Sequence, residues 1–187
     1  MSNELDGVRV LIVTSNTGVE HDELTVPRDR LRSRGAQVTH AAPKRTAVQT
    51  YRHDLDPADA VQPDIAIDRV EPGLFDVLVI PGGTVNADKL RTDAGAKKLV
   101  QAVAQDGRPI AAICHGPWLL VDADLVAGKT MTSYSSLRTD LVNAGADWAD
   151  EPVVRSDHGG WTLITSRNPG DLPDFIAAIT AESGTRT

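Results

Sequence analysis

The chain has 187 residues, of which 41% are hydrophobic and 24% charged, a composition that fits one soluble domain over residues 1–187 with room for a sizeable core. A formal net charge of -7, with 19 scattered Lys and Arg, argues against a nucleic-acid partner or an anionic membrane surface, both of which need clustered positive charge. A single cysteine excludes an internal disulfide framework, the polar start carries no signal-peptide pattern, and no apolar run approaches the roughly 20 residues of a membrane helix, so a cytoplasmic location is expected.

Val8 to Thr14 is a nearly continuous β-branched run, the pattern of a strand buried on both faces, and Ser15-Asn16-Thr17-Gly18 ends it as a loop. Apolar spacing then predicts a helix from Asp22 to Arg34 closed by Gly35, followed by a strand from Val38 to Ala42, which together make one βαβ unit. From Pro43 to Pro72 the chain turns polar and holds two strand-like runs, Ala47 to Tyr51 and Ile65 to Val70, read as an excursion with a small hairpin or ribbon. Phe75 to Pro81 is the next buried strand, broken by Gly82-Gly83, and Asp88 to Gln105 has helical spacing.

Pro109 to Cys114 is a further apolar strand, and His115-Gly116-Pro117 turns it sharply into another apolar run. Beyond Lys129, a short strand at Met131 to Tyr134, a helix around Leu137 to Val142, paired strands at Val153 to Arg155 and Trp161 to Ser166, and a terminal helix from Leu172 to Ala181 complete the pattern. The alternation predicts an α/β fold: a flavodoxin-like, doubly wound, mostly parallel sheet sandwiched by helices, with a nucleophile elbow at Cys114.

An elbow places its side chain at the carboxyl end of a buried strand and over the start of a helix, whose free N–H groups favour thiolate over thiol. Cys114 is therefore a candidate nucleophile, although a lone cysteine is more often an inert buried hydrophobe. Gly82 and Gly83 end the neighbouring predicted strand and so reach the same sheet edge, where their N–H groups could hold an oxyanion; the plainer reading is a glycine turn. Glu20 and Glu23 share a helical face, and one of them, if buried beside Cys114, would hold a proton and serve as acid or base. His115 adjoins Cys114 in sequence, which does not by itself make it a partner, and the histidines have no zinc-site spacing, so no metal is expected.

These residues resemble the ThiJ/PfpI superfamily, within the class I glutamine amidotransferase-like folds, and specifically its PfpI-like branch of intracellular peptidase homologues and general stress proteins. The matching segments, in order, are Gly18-Val19-Glu20-His21-Asp22-Glu23-Leu24 with Pro27, Pro81-Gly82-Gly83, Asp88-Lys89-Leu90-Arg91, and Ala112-Ile113-Cys114-His115-Gly116-Pro117. Thr132-Ser133-Tyr134, Asn143-Ala144-Gly145-Ala146, and Thr165-Ser166-Arg167 with Asp171-Leu172-Pro173 follow. The resemblance implies Cys114 as nucleophile, His115 as its neighbouring base, Glu23 in contact with the cysteine and Glu20 in a structural role. It also implies that Asp88, supplied by an adjacent subunit of a homodimer or trimer of dimers, completes the site. Tyr134 falls among the expected pocket residues. Trp118 stands where the branch carries glutamine and either narrows the pocket mouth or packs as a core aromatic.

Three readings follow from the residues and the resemblance. The first is a cofactor-free cysteine enzyme of the stress response acting on small reactive aldehydes, of glutathione-independent glyoxalase or deglycase type. The second is an intracellular cysteine peptidase or amidase acting on a peptide, with an oligomer-completed triad. The third is a redox-sensing thiol, and a pocket that only binds a ligand stays open as a fourth.

Overall fold

The computed structural model describes residues 4–184; the outermost residues of the expected domain, 1–3 and 185–187, lie outside the described residues. In chain order the elements are β1 (Arg9–Val13), β2 (Thr17–Glu20), α1 (His21–Ser33), β3 (Gln37–Ala42), β4 (Gln49–Arg52), β5 (Asp56–Pro57), β6 (Ile65–Ala66), β7 (Val77–Ile80) and α2 (Thr84–Thr92). Then come α3 (Ala94–Gln105), β8 (Ile110–Ile113), α4 (Pro117–Asp122), β9 (Thr130–Met131), α5 (Arg138–Asn143), β10 (Asp147–Trp148), β11 (Val153–Ser156), β12 (Leu163–Ser166) and α6 (Leu172–Gly184).

Seven strands form the central sheet in the order β11-β12-β8-β7-β1-β3-β6. Every neighbouring pair is parallel except β11 with β12. Because side chains alternate across a strand, the buried runs split into two cores. Leu11, Val13, Leu78, Ile80, Ile110 and Ala112 pack on one face with Leu90 of α2, Leu99 and Val103 of α3, and Leu119 of α4. Val10, Ile12, Val77, Val79, Ala111 and Ile113 pack on the other with Leu24 and Leu31 of α1 and Phe175 and Ile179 of α6. This is the α/β, flavodoxin-like class, and it brings the ends of β7 and β8 side by side.

Four local expectations change. The helix expected from Asp88 to Gln105 starts earlier and is two helices, broken at Asp93, whose extended backbone and carboxylate cap Ala96 N–H at 2.8 Å. Thr17–Glu20 is a strand where a loop was expected, because it pairs with β4 outside the main sheet. Of Ile65 to Val70 only Ile65–Ala66 is strand, the chain then closing into a short 3-10 turn. Met131 to Tyr134 is strand only at its start, because Thr132 and Tyr134 donate their N–H groups to Thr165 Oγ1 and to the Cys114 carbonyl instead of to a strand partner.

Candidate active site

Cys114 directly follows β8 with φ of 61°, a left-handed conformation that a non-glycine residue adopts only where its surroundings enforce it. Its N–H is fixed on the Ser166 carbonyl at 3.0 Å and its carbonyl receives Tyr134 N–H at 2.9 Å, so β12 and the segment after β9 hold the elbow from both sides. Gly116 N–H closes back on Ile113 O at 2.9 Å and Pro117 starts α4. The strand-to-helix elbow anticipated from the sequence is present, but α4 has only six residues, and a buried thiol dominates the electrostatics rather than a helix terminus. Burial, and then the Glu23 carboxylate at the high pH where it is ionised, raise the Cys114 thiol above its ordinary range, against the backbone N–H groups of Gly83 and His115, which reach the sulfur and favour thiolate. A depressed thiol was the expectation; desolvation of a residue only 6% exposed outweighs the donors.

Glu23 lies in the first turn of α1 with 0% exposure. Its Oε2 accepts Gly82 N–H at 2.7 Å, Oε1 is enclosed without a hydrogen-bond partner among the described residues, and the carboxyl lies within hydrogen-bonding reach of the Cys114 thiol. Burial raises the Glu23 carboxyl to about 8, although the Gly82 N–H pulls the other way. Glu23 is thus a neutral acid beside the thiol at neutral pH. The close approach is possible only because residue 82 is glycine: a Cβ there would meet Cys114 Cβ and Glu23 Oε2 at 2.6 Å each. Gly83 follows with φ of +89°, and a Cβ on it would stand 2.2 Å from Gly18 O.

His115 is 6% exposed and presents Nδ1 to Cys114 Sγ at 3.1 Å. Its ring stacks on Tyr134, with centroids 4.8 Å apart, and meets the edge of Trp118 at 5.4 Å. Burial lowers the His115 imidazole, partly offset by Asp54, so a neutral ring faces the sulfur. The opposite nitrogen, Nε2, lies 3.4 Å from both Thr84 Oγ1 and Ser136 Oγ.

Glu23, Cys114, His115, Gly83, Glu20 and Tyr134 all line one cavity of about 470 Å³, together with the loop Asn168–Gly170. Glu20 is 7% exposed and its Oε2 accepts His53 N–H at 2.9 Å, pinning the β4–β5 turn over the site. Trp118 does not line the cavity. It braces His115 from behind, held by its own Nε1–H to Asp140 at 2.8 Å and by Arg91 over its ring at 5.0 Å. Asp88 sits on the exposed face of α2, outside the cavity.

Asp54, Thr84 and Ser136 belong to the site and were not singled out from the sequence. Thr84 carried a usable signal, since it opens a helix directly after Gly82-Gly83. Asp54 carried none, because only the fold brings the β4–β5 turn to the start of α2.

The family model for the DJ-1/PfpI family matches residues 8–182. The Deglycase PfpI of Pyrococcus furiosus is 36% identical over 165 residues, covering 88% of this chain and 93% of that protein. General stress protein 18 of Bacillus subtilis is 44% identical over 112 residues, 60% of this chain and 63% of its own length. Among solved structures, Drosophila melanogaster DJ-1beta superposes with a TM-score of 0.83 at 31% identity, covering 95% of this chain and 91% of that one. With the sheet order, the elbow and these matches in agreement, the chain belongs to the DJ-1/PfpI family.

Proposed function

We propose that this protein is a cysteine-dependent enzyme of the stress response acting on small reactive aldehydes or on the early adducts they form with amines and thiols, a glyoxalase or deglycase chemistry. The observation that carries the reading is the fully buried Glu23 carboxyl packed beside the Cys114 thiol, with His115 Nδ1 on the sulfur at 3.1 Å. A neutral carboxylic acid against a nucleophile suits carbonyl chemistry, where protons must move as the addition proceeds. The relatives named as deglycases point the same way.

The chain's own groups supply each step. His115 takes the thiol proton and Cys114 sulfur adds to the aldehyde carbon, giving a hemithioacetal whose oxygen faces the Gly83 and His115 N–H groups. For methylglyoxal, Glu23 gives its proton to the hemithioacetal oxygen and, as the resulting carboxylate, takes the C–H proton of the former aldehyde carbon and returns it to the neighbouring ketone carbon through an enediol, while His115 carries the proton between the two oxygens, leaving a thioester. Water cleaves the thioester to lactate and returns the thiol proton. For an adduct, release of the amine or thiol precedes or accompanies the same transfer.

The test is lactate formation from methylglyoxal without glutathione, and from methylglyoxal-treated amines, by the wild type beside Cys114→Ala and Glu23→Gln, with a peptide substrate in parallel. Lactate lost in both variants supports the reading. Cys114-dependent peptide cleavage without lactate replaces it with a peptidase, and inactivity on all three replaces it with a redox or binding role.

A further inference from the structure

The geometry points to Asp54, acting through the Thr84 hydroxyl, as the residue that fixes the proton of His115 on Nε2 and so leaves Nδ1 bare toward the Cys114 sulfur. The inference rests on the proposed catalytic role of Cys114 and His115 and adds a positioning residue from within the same chain.

Polarity along the relay follows from what each group can do. A carboxylate only accepts, and Asp54 accepts twice from Thr84: the backbone N–H on Oδ1 at 2.8 Å and the side-chain hydroxyl on Oδ2 at 2.7 Å. With its hydrogen committed to Asp54, Thr84 Oγ1 has only lone pairs left for His115 Nε2, 3.4 Å away. Nε2 must then carry the hydrogen. The contact is long, as catalytic hydrogen bonds in unliganded sites commonly are. A ring with its hydrogen on Nε2 offers Nδ1 as acceptor to the Cys114 S–H at 3.1 Å. When that proton transfers, the imidazolium holds one hydrogen on each nitrogen, and the one on Nδ1 returns to the leaving group or sulfur later. A tautomer fixed by a hydrogen-bonded carboxylate is what separates a working histidine base from an idle one, and a wrong tautomer disables it.

Two further observations show that the relay is held in place. His53 and Asp54 are consecutive non-glycine residues with φ of 53° and 64°, a strained turn aimed at the start of α2. Glu20 clamps that turn through His53 N–H at 2.9 Å. Ser136 Oγ also lies 3.4 Å from Nε2, but among the described residues no carboxylate commits its hydrogen, so it accepts either tautomer. Asp54 also accepts the first N–H of α2, where Gly83 provides no side-chain cap, and that bond alone would make it only a helix cap. Thr84→Val separates the two roles, because it keeps the backbone N–H for Asp54 and removes the hydroxyl. The chain thereby brings a carboxylate to His115 without drawing on Asp88 of a neighbouring subunit.

The experiment reads the relay without requiring turnover. The tautomer of His115 is measured from its ring nitrogen shifts in ¹⁵N-labelled protein, and the rate of Cys114 alkylation by iodoacetamide is followed at neutral pH. Wild type should show hydrogen on Nε2. Asp54→Asn reverses the polarity, since its amide N–H would donate to Thr84 Oγ1 and turn the hydroxyl toward Nε2, so the ring shifts to hydrogen on Nδ1 and alkylation slows tenfold or more. Thr84→Val should lose the preference for Nε2 and slow alkylation similarly, while Thr84→Ser restores both. An unchanged tautomer and rate in Thr84→Val overturns the relay. Failure of the aldehyde reading would show instead as absent lactate with the tautomer shifts intact.

Discussion

Glu23 accepts Gly82 N–H on one carboxyl oxygen at 2.7 Å and, fully buried, lies within hydrogen-bonding reach of the Cys114 thiol. The arrangement anchors the carboxyl on the backbone and holds it against the thiol.

Glu23→Gln should preserve the bond to Gly82 while removing the proton donor, and turnover should fall by about 10²-fold or more. The same variant tests the protonation state through stability. Glu23 is held at about 8 in the folded chain against 4.5 in its absence, so between those values the native state keeps a proton that the unfolded chain releases. Wild-type stability should therefore fall relative to Glu23→Gln as pH rises from about 4.5 to about 8, and level off above, approaching a slope of about 1.4 kcal/mol per pH unit within the window. Denaturant midpoints of both proteins across that range check the sign.

Gly82→Ala forces a methyl to within 2.6 Å of both Cys114 Cβ and Glu23 Oε2. The expected result is a loss of about 1–3 kcal/mol in stability together with loss of the carboxyl–thiol contact. Denaturation and iodoacetamide labelling of Cys114, measured on the same preparation, would show both effects. An alanine variant with wild-type stability and labelling would mean the site has slack that this packing denies.

Away from the chemistry, Lys129 is only 1% exposed, donates to the carbonyls of His158 and Trp161, and lies 3.7 Å over the Trp161 ring. Lys129→Met keeps the stem but strands two carbonyls, at a cost of about 2–3 kcal/mol. Burial pushes the ammonium down from 10.5 to about 8, so the unfolded chain holds its proton over a range where the native state has lost it. Wild type should gain stability relative to Lys129→Met as pH rises from about 8 to about 10.5, which thermal melts in that range can read.

Arg167 grips Asp171 with both Nε and Nη2, at 2.9 and 3.0 Å, and reaches Asp150 at 2.9 Å, framing the loop Asn168–Gly170 that closes one wall of the cavity. Arg167→Ala leaves the Asp171 carboxylate, 7% exposed, without its main partner. KM should rise several-fold with a smaller change in kcat, since the loop shapes the wall of the pocket. A fall confined to kcat would place Arg167 in the reaction itself.

The strands were legible because burial on both faces demands long β-branched runs, and Val8 to Thr14 or Phe75 to Pro81 can be little else. Gly-Gly and Cys-His-Gly-Pro likewise announce two sharp turns, and parallel pairing of their strands puts both turns at one edge. What a one-dimensional pattern could not carry was each polar group's environment. The spacing of Glu20 and Glu23 puts both on one face of a helix start, but only packing decides that Glu23 is sealed against the thiol while Glu20 holds the β4–β5 turn. The break at Asp93 was hidden because apolar spacing runs on through it, although an aspartate at an N-cap is a sufficient cause.

The sequence by itself determined the layered α/β architecture, the elbow and the identity of the cysteine, since these follow from hydrophobic periodicity and from the few residues able to turn a chain sharply. The tertiary structure alone decided the charge state of the site and the membership of its outer ring. A thiol expected to be acidified by a helix is instead raised by burial, and a carboxylate from residue 54 meets a hydroxyl from residue 84 only because β4 pairs with β2 beside the double glycine. Desolvation and long-range contact depend on what the rest of the chain places around a group, and that information is spread over the whole fold.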